Sequence, residues 1–161
     1  MEKNEYQFFF ETYNSLAELD PAESALLIEA RKMILNAYAP YSNFKVGAAA
    51  ELINSRVVGG SNQENASFPA GICAERVLLS AVSFLYPGIP IRRIAISYQN
   101  AKGNSDHPIF PCGVCRQSLV EYEQRVKQPI RLILGGEAGK VIVIPKASQL
   151  LPLAFTGEEI Q

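Results

Sequence analysis

The chain has 161 residues, 48% of them hydrophobic and 19% charged, which is the size and make-up of one globular domain around one core and excludes disordered, collagen-like and low-complexity classes. Fifteen Lys and Arg against sixteen Asp and Glu leave a formal charge of −1, without the cationic surplus that counterion-driven binding to nucleic acid needs. No apolar run reaches the roughly eighteen residues of a membrane span. The start Met1-Glu2-Lys3-Asn4-Glu5 lacks the basic and apolar regions of a secretory leader, so a soluble, cytoplasmic protein is expected.

In chain order, Tyr6, Phe8 and Phe10 alternate and predict a half-buried strand from Tyr6 to Thr12. Ser15 followed by Glu18 has the form of a capping box for a short helix. In Asp20-Pro21-Ala22-Glu23, Asp20 can cap, Pro21 suits the first helical position and Glu23 can reach back. The helix they open carries Leu26, Leu27, Ala30, Met33, Ile34 and Ala37 on one face and ends before Pro40. The period then becomes two, with Phe44, Val46, Ala48, Ala50 and Leu52 sharing a face. A turn at Asn54-Ser55 and a return strand from Val57 to about Gln63 make a hairpin.

A helix from about Cys73 to Leu85 stops before Pro87-Gly88, and a strand follows at Arg93 to Ser97. Gln99 to His107 reads as a surface loop. A helix from about Gly113 to Val126 and strands at Arg131 to Leu134 and Val141 to Ile144 complete the chain. Strands alternating with helices after a hairpin indicate an α/β layered domain with a mixed sheet, a single domain over residues 1–161 in which residues 1–20 are an N-terminal extension.

The chemistry concentrates on three cysteines, all at predicted helix starts: Cys73 opens one helix, and Cys112 and Cys115 open the next. Unpaired N–H groups and the positive end of the helix dipole favour a thiolate there. One helical turn puts Cys112 and Cys115 on one side, and with Cys73 as third ligand a zinc ion would keep its fourth tetrahedral position open, as catalytic zinc does. Glu75 lies two residues after Cys73 and can stand beside the metal only if Cys73 sits at the helix cap. Three thiolates around a divalent cation leave a net negative charge that blunts a Lewis acid, and Arg76 and Arg116 are placed to offset it.

A C-x-x-C pair alone also fits a structural zinc half-site or a redox pair. The single histidine, His107, is either a solvated loop residue or a fourth ligand. The redox reading gives no role to Cys73 or Glu75.

The stretch Cys73-Ala74-Glu75-Arg76 followed by Pro111-Cys112-Gly113-Val114-Cys115-Arg116-Gln117 resembles the signature of the small zinc-dependent cytidine deaminases. Asn43-Phe44-Lys45-Val46-Gly47-Ala48-Ala49 and Asn62-Gln63-Glu64-Asn65-Ala66 agree with it, and the likeness runs from about Ala30 to Phe155. The resemblance implies a three-layer α/β/α fold on a mixed five-stranded sheet, with the N-terminal strand and helix as an extension. It implies one zinc per subunit on Cys73, Cys112 and Cys115, Glu75 as general acid and base, and Arg76 offsetting thiolate charge. It places the Ala74 N–H on the pyrimidine O2, Asn62 and Glu64 on the ribose hydroxyls, and Phe44 against the base.

The implied reaction is deamination of cytidine and deoxycytidine in pyrimidine salvage. The implied partners are a nucleoside and further copies of the chain in a homotetramer or dimer, with no nucleic acid and no membrane. Phe68 stands where the family usually has tyrosine, which removes a hydroxyl near the sugar 5′ end. Leu151-Pro152-Leu153-Ala154-Phe155 resembles the segment that lends an aromatic to a neighbouring subunit, so Phe68 and Phe155 are the expected inter-subunit residues. The alternatives are a relative acting on another aminopyrimidine nucleoside and a non-catalytic zinc-stabilised module, and Glu75 argues against the latter.

Overall fold

Asp20 and Pro21 begin the first helix as their chemistry requires: the Asp20 carboxylate accepts the Ala22 N–H at 2.9 Å and Pro21 occupies the first turn. In the computed structural model, which describes residues 1–160, this helix is α1, Pro21–Met33, continued by a 3-10 turn at Ile34–Asn36. The strands are β1 Glu11–Tyr13, β2 Phe44–Leu52, β3 Val57–Ser61, β4 Ile91–Asn100, β5 Arg131–Gly135 and β6 Val141–Ile144. The other helices are α2 Ala74–Leu85 and α3 Gly113–Val126. Among the described residues no helix is long and apolar enough to cross a membrane.

The six strands form one mixed sheet in the order β1-β6-β5-β4-β2-β3, with β4 and β5 parallel and the other neighbours antiparallel. The expected count of five is corrected to six because the N-terminal strand joins the sheet at the β6 edge. Its bounds move as well. β6 offers so short an edge that only Glu11, Thr12 and Tyr13 pair with it, while Tyr6, Phe8 and Phe10 lie outside the sheet and are exposed rather than half-buried. The aromatic alternation is real, but no strand is available to pair with it.

The reciprocal capping box at Ser15 does not form. Ser15 makes no side-chain cap, and the Glu18 carboxylate takes the Asn14 N–H at 2.9 Å instead. Glu23 does not reach back to its own helix start either; it is buried and accepts from Arg131 Nε at 2.6 Å, while Arg131 Nη2 holds Glu11 at 2.7 Å. One guanidinium thus ties α1, β5 and β1 together.

Both faces of the sheet are covered, which gives three layers. Leu26, Leu27 and Ala30 of α1 pack with Ala49, Ala95, Ile133 and Val143 on one face. On the other, Leu78 and Val82 of α2 and Leu119 and Tyr122 of α3 pack with Ala48, Ala50, Ile94, Ile96 and Leu132. Alternate residues of β2 and β4 therefore point into two different cores, so these strands read as nearly continuous small and branched apolar runs.

A glycine sets the approach of α2. A Cβ at Gly60 would lie 2.7 Å from the Ala74 carbonyl oxygen and 2.7 Å from Leu78 N, closer than packed atoms allow. Gly60→Ala should therefore push α2 off the sheet at a cost of about 1–3 kcal/mol, measured by denaturant unfolding. An unchanged midpoint would show that α2 can retreat without loss.

β3 and β4 both run antiparallel to β2 and so point the same way. α2 follows β3 and α3 follows β4, which brings both helix N-termini to one end of the sheet. A crevice at the carboxyl ends of such strands is where α/β folds place their ligands.

Candidate metal centre and active site

Cys73 and Cys112 are the N-cap residues of α2 and α3, both with extended backbone, and Cys115 lies in the first turn of α3. A cap residue is only half in the helix, so its side chain can hang across the helix end, the placement that Glu75 requires. The Sγ atoms of Cys73 and Cys112 are 3.8 Å apart, those of Cys112 and Cys115 3.5 Å apart, and all three lie within 4.8 Å of one another. Zinc–sulfur bonds of about 2.3 Å at tetrahedral angles place sulfurs about 3.8 Å apart, so the donor set fits that ion. Among the described residues no fourth Cys, His or carboxylate joins the group.

The thiols share their protons unequally. Cys73 is pushed down to about 6, chiefly because the Cys115 thiol donates to it, with Cys112 and the charge of Arg76 adding, against the effect of burial. Cys115 is pushed up, first by that same hydrogen bond and then by burial. A cluster that already stabilises one thiolate by two neighbouring S–H groups is suited to exchange those protons for a divalent cation.

Glu75 is buried beside this cluster, on the first turn of α2. Burial holds its carboxyl above the usual range. Its own backbone N–H, the Cys115 thiol and Arg76 act the other way, and the Cys73 charge adds to the rise. Arg76 is half-buried and acts on Cys73 through its charge.

Arg116 is a correction. Its Nε donates to the Pro111 carbonyl at 2.9 Å and its Nη1 to the Leu150 carbonyl at 3.1 Å, so it braces the Cys112 loop against the C-terminal segment rather than serving the sulfurs. His107 is absent from the sulfur cluster; it lies within 3.2 Å of the Tyr98 hydroxyl.

The remaining predicted residues gather at the same end of the sheet. Gln63 and Ile72 exchange backbone hydrogen bonds at 2.9 Å, which sets Asn62 and Glu64 beside the approach to Cys73. Both side chains also have backbone partners. Asn62 accepts the Val46 N–H at 2.7 Å and donates to the Phe44 carbonyl at 2.9 Å, extending β3 by a side chain. Glu64 Oε2 accepts from Tyr41 N at 2.9 Å and Ser42 N at 3.3 Å, and its carboxyl is held below the usual range, mainly by the Ser42 hydroxyl. Phe44 is half-buried at the start of β2. Ala74 is fully buried at the first position of α2, where a backbone N–H has no partner within the helix.

Phe68 and Phe155 are 76% and 61% exposed, the first meeting Tyr41 edge-on at 6.0 Å and the second accepting Gln117 Nε2 at its carbonyl. Sequence reasoning missed Tyr98, on which the Phe44 ring stacks at 5.1 Å and 18°. The signal was the shared period of β2 and β4, obscured because Tyr98 also reads as plain core.

Residues 21–128 match a family model described as the cytidine and deoxycytidylate deaminase zinc-binding region. The cytidine deaminase of Halalkalibacterium halodurans is 34% identical over 135 residues, 84% of this chain and 95% of the relative. One from Mycobacterium tuberculosis is 39% identical over 98 residues, 59% of this chain and 69% of the relative. The crystal structure of cytidine deaminase from Burkholderia pseudomallei has a TM-score of 0.69 and 41% identity, covering 81% of this chain and 97% of that one. With the three sulfurs set at zinc-binding distances within the matched region, the chain belongs to the family of zinc-binding cytidine and deoxycytidylate deaminases.

Proposed function

We propose that the chain hydrolyses the exocyclic amino group of cytidine and deoxycytidine, releasing ammonia and the uracil nucleoside as a step of pyrimidine salvage in the cytoplasm. The observation that carries this reading is a buried carboxylate, Glu75, beside three sulfurs spaced to hold one zinc, with no fourth protein ligand among the described residues. Cys73, Cys112 and Cys115 would be the ligands, and the ion they hold would supply a Lewis acid that lowers the pKa of the attacking water.

Glu75 takes the proton of the attacking water and passes it to N3 of the base as oxygen adds at C4. It then takes the remaining proton from the new C4 hydroxyl and delivers it to the amino group, so that the C4–N bond breaks, the C4 carbonyl forms and ammonia leaves. The two helix N-termini and the charge of Arg76 offset the thiolates.

The Ala74 N–H meets the pyrimidine O2 and Phe44 packs against the base. Asn62 and Glu64 bind the ribose even though both already hold backbone groups. An amide and a carboxylate each have more hydrogen-bonding sites than those contacts use, and only Oε2 of Glu64 is engaged by Tyr41 and Ser42. These two side chains bring an amide and a negative charge to the sugar, which favours a neutral nucleoside over a phosphorylated one.

The exposed side chains of Phe68, Leu153 and Phe155 are covered in a homotetramer, in which Phe155 reaches a neighbour's site. Light scattering should report four chains, and Phe155→Ala should lower affinity for nucleoside without altering zinc content; a monomer of full activity contradicts this assembly.

The test of function is a panel of aminopyrimidine nucleosides and bases, with ammonia release and zinc measured on one sample. Turnover of cytidine and deoxycytidine at one zinc per chain is expected. Zinc-loaded protein that converts neither overturns the reading.

A further inference from the structure

The antiparallel register of β2 and β4 pairs Phe44 with Asn100 and Val46 with Tyr98, so Phe44 and Tyr98 sit on diagonal positions of the same sheet face. That face carries α2 and α3, and Tyr98 and then Phe44 follow the core residue Ile96 toward its ligand-bearing end, Tyr98 two residues on and Phe44 opposite the residue four on. Their rings are stacked, with centroids 5.1 Å apart and planes 18° from parallel. Tyr98 is 1% exposed whereas Phe44 is half-buried, so the Phe44 ring rests on a buried partner while part of the residue stays accessible.

Phe44 stands at the first position of its strand, directly after Asn43, whose φ of 58° marks a left-handed turn. Tyr98, in contrast, is held at its far end. Its hydroxyl lies 3.2 Å from His107 Nδ1 and 3.4 Å from the Asn104 carbonyl, and the His107 ring meets its edge at 5.7 Å. Asn100 N donates to Ser105 Oγ at 2.9 Å, folding the same loop back on β4 before it runs on to Cys112.

We infer that Tyr98 is a positioning residue for the substrate: its buried ring fixes Phe44 in the orientation that receives the pyrimidine, and its hydroxyl ties that platform to the loop ending at Cys112. The inference rests on the reading of Phe44 as the base contact. A platform held in place before the ligand arrives spares the ligand the cost of ordering it, so the loss of Tyr98 falls on affinity rather than on turnover. A tyrosine that were only core would act on stability, independently of Phe44.

The experiment is a double-mutant cycle on the zinc-loaded chain with Phe44→Leu and Tyr98→Leu, reading KM and kcat for cytidine, inhibition by uridine, zinc content and thermal unfolding. Tyr98→Leu should raise KM and the uridine inhibition constant roughly three- to tenfold, the worth of an aromatic pair, with kcat and zinc little changed. Tyr98→Phe should recover most of that loss, because the ring returns. The double variant should bind no more weakly than Phe44→Leu alone. Should Tyr98→Leu fail to fold, Tyr98→Met fills the volume without a ring face and carries the same expectation.

Effects that multiply in the double variant, or a fall in kcat at unchanged KM, overturn the inference. A KM raised by Phe44→Leu but not by Tyr98→Leu overturns it alone, whereas an unchanged KM in Phe44→Leu removes the base-contact reading beneath it.

Discussion

Glu75→Gln should lower kcat for cytidine by roughly a hundred- to ten-thousand-fold, the range of a lost general acid and base, while one zinc per chain is retained. Glutamine keeps the volume and a hydrogen-bonding end but can neither take a proton from water nor return one to the amino group. The three sulfurs are untouched, so metal content should not change. Nor should the fold suffer: burial holds the Glu75 carboxyl above its usual range, so its charge is not a source of stability, and it joins no salt bridge among the described residues. Single-turnover ammonia release measured beside zinc content decides the matter. Release within tenfold of the parent protein would strip Glu75 of its role.

Cys112→Ser should lose the metal, the activity and much of the stability together. Cys112 is the exposed member of the cluster and the only one at the cap of α3, so it joins the loop after β4 to the helix that follows. A ligand that binds only the folded chain at about a thousand times its dissociation constant contributes ~4 kcal/mol, which in a chain of this length corresponds to about 8–16 °C in melting temperature. Treating the parent protein with a strong chelator should bring its melting temperature down to that of the variant, and zinc should restore only the parent. A variant that still bound one zinc would show that two sulfurs suffice and that Cys112 serves another purpose.

The sulfur cluster with Glu75 buried beside it was legible because its elements are local. An N-cap cysteine, a glutamate two positions on and a C-x-x-C one helix later are sequence-adjacent facts, and a helix end converts them directly into geometry. What sequence could not supply were the partners. Asn62 and Glu64 read as ligand residues, yet each also braces the chain leading into β2, because the β3 end needs acceptors and donors where its backbone ladder stops. Arg116 looks equivalent to Arg76 by spacing, but two carbonyls from distant segments claim its guanidinium. The fold was legible wherever periodicity was long, as in α1, β2 and α2. In the first nineteen residues a strand and a short helix were legible but not the strand's bounds or the cap, because strand pairing depends on how much of β6 is available and capping depends on which N–H lies nearer a carboxylate.

The placement of β1 on β6 bears on how the protein survives in crowded solution. Val141–Ile144 is a four-residue apolar strand at the margin of the five-strand core, and such a margin can recruit a foreign strand. Glu11 to Tyr13 occupies it and replaces it with an outermost strand only three residues long that begins with a carboxylate gripped by Arg131. The segment from Glu11 to Tyr13 thereby acts as a selvedge, finishing the sheet so that it neither frays nor grows.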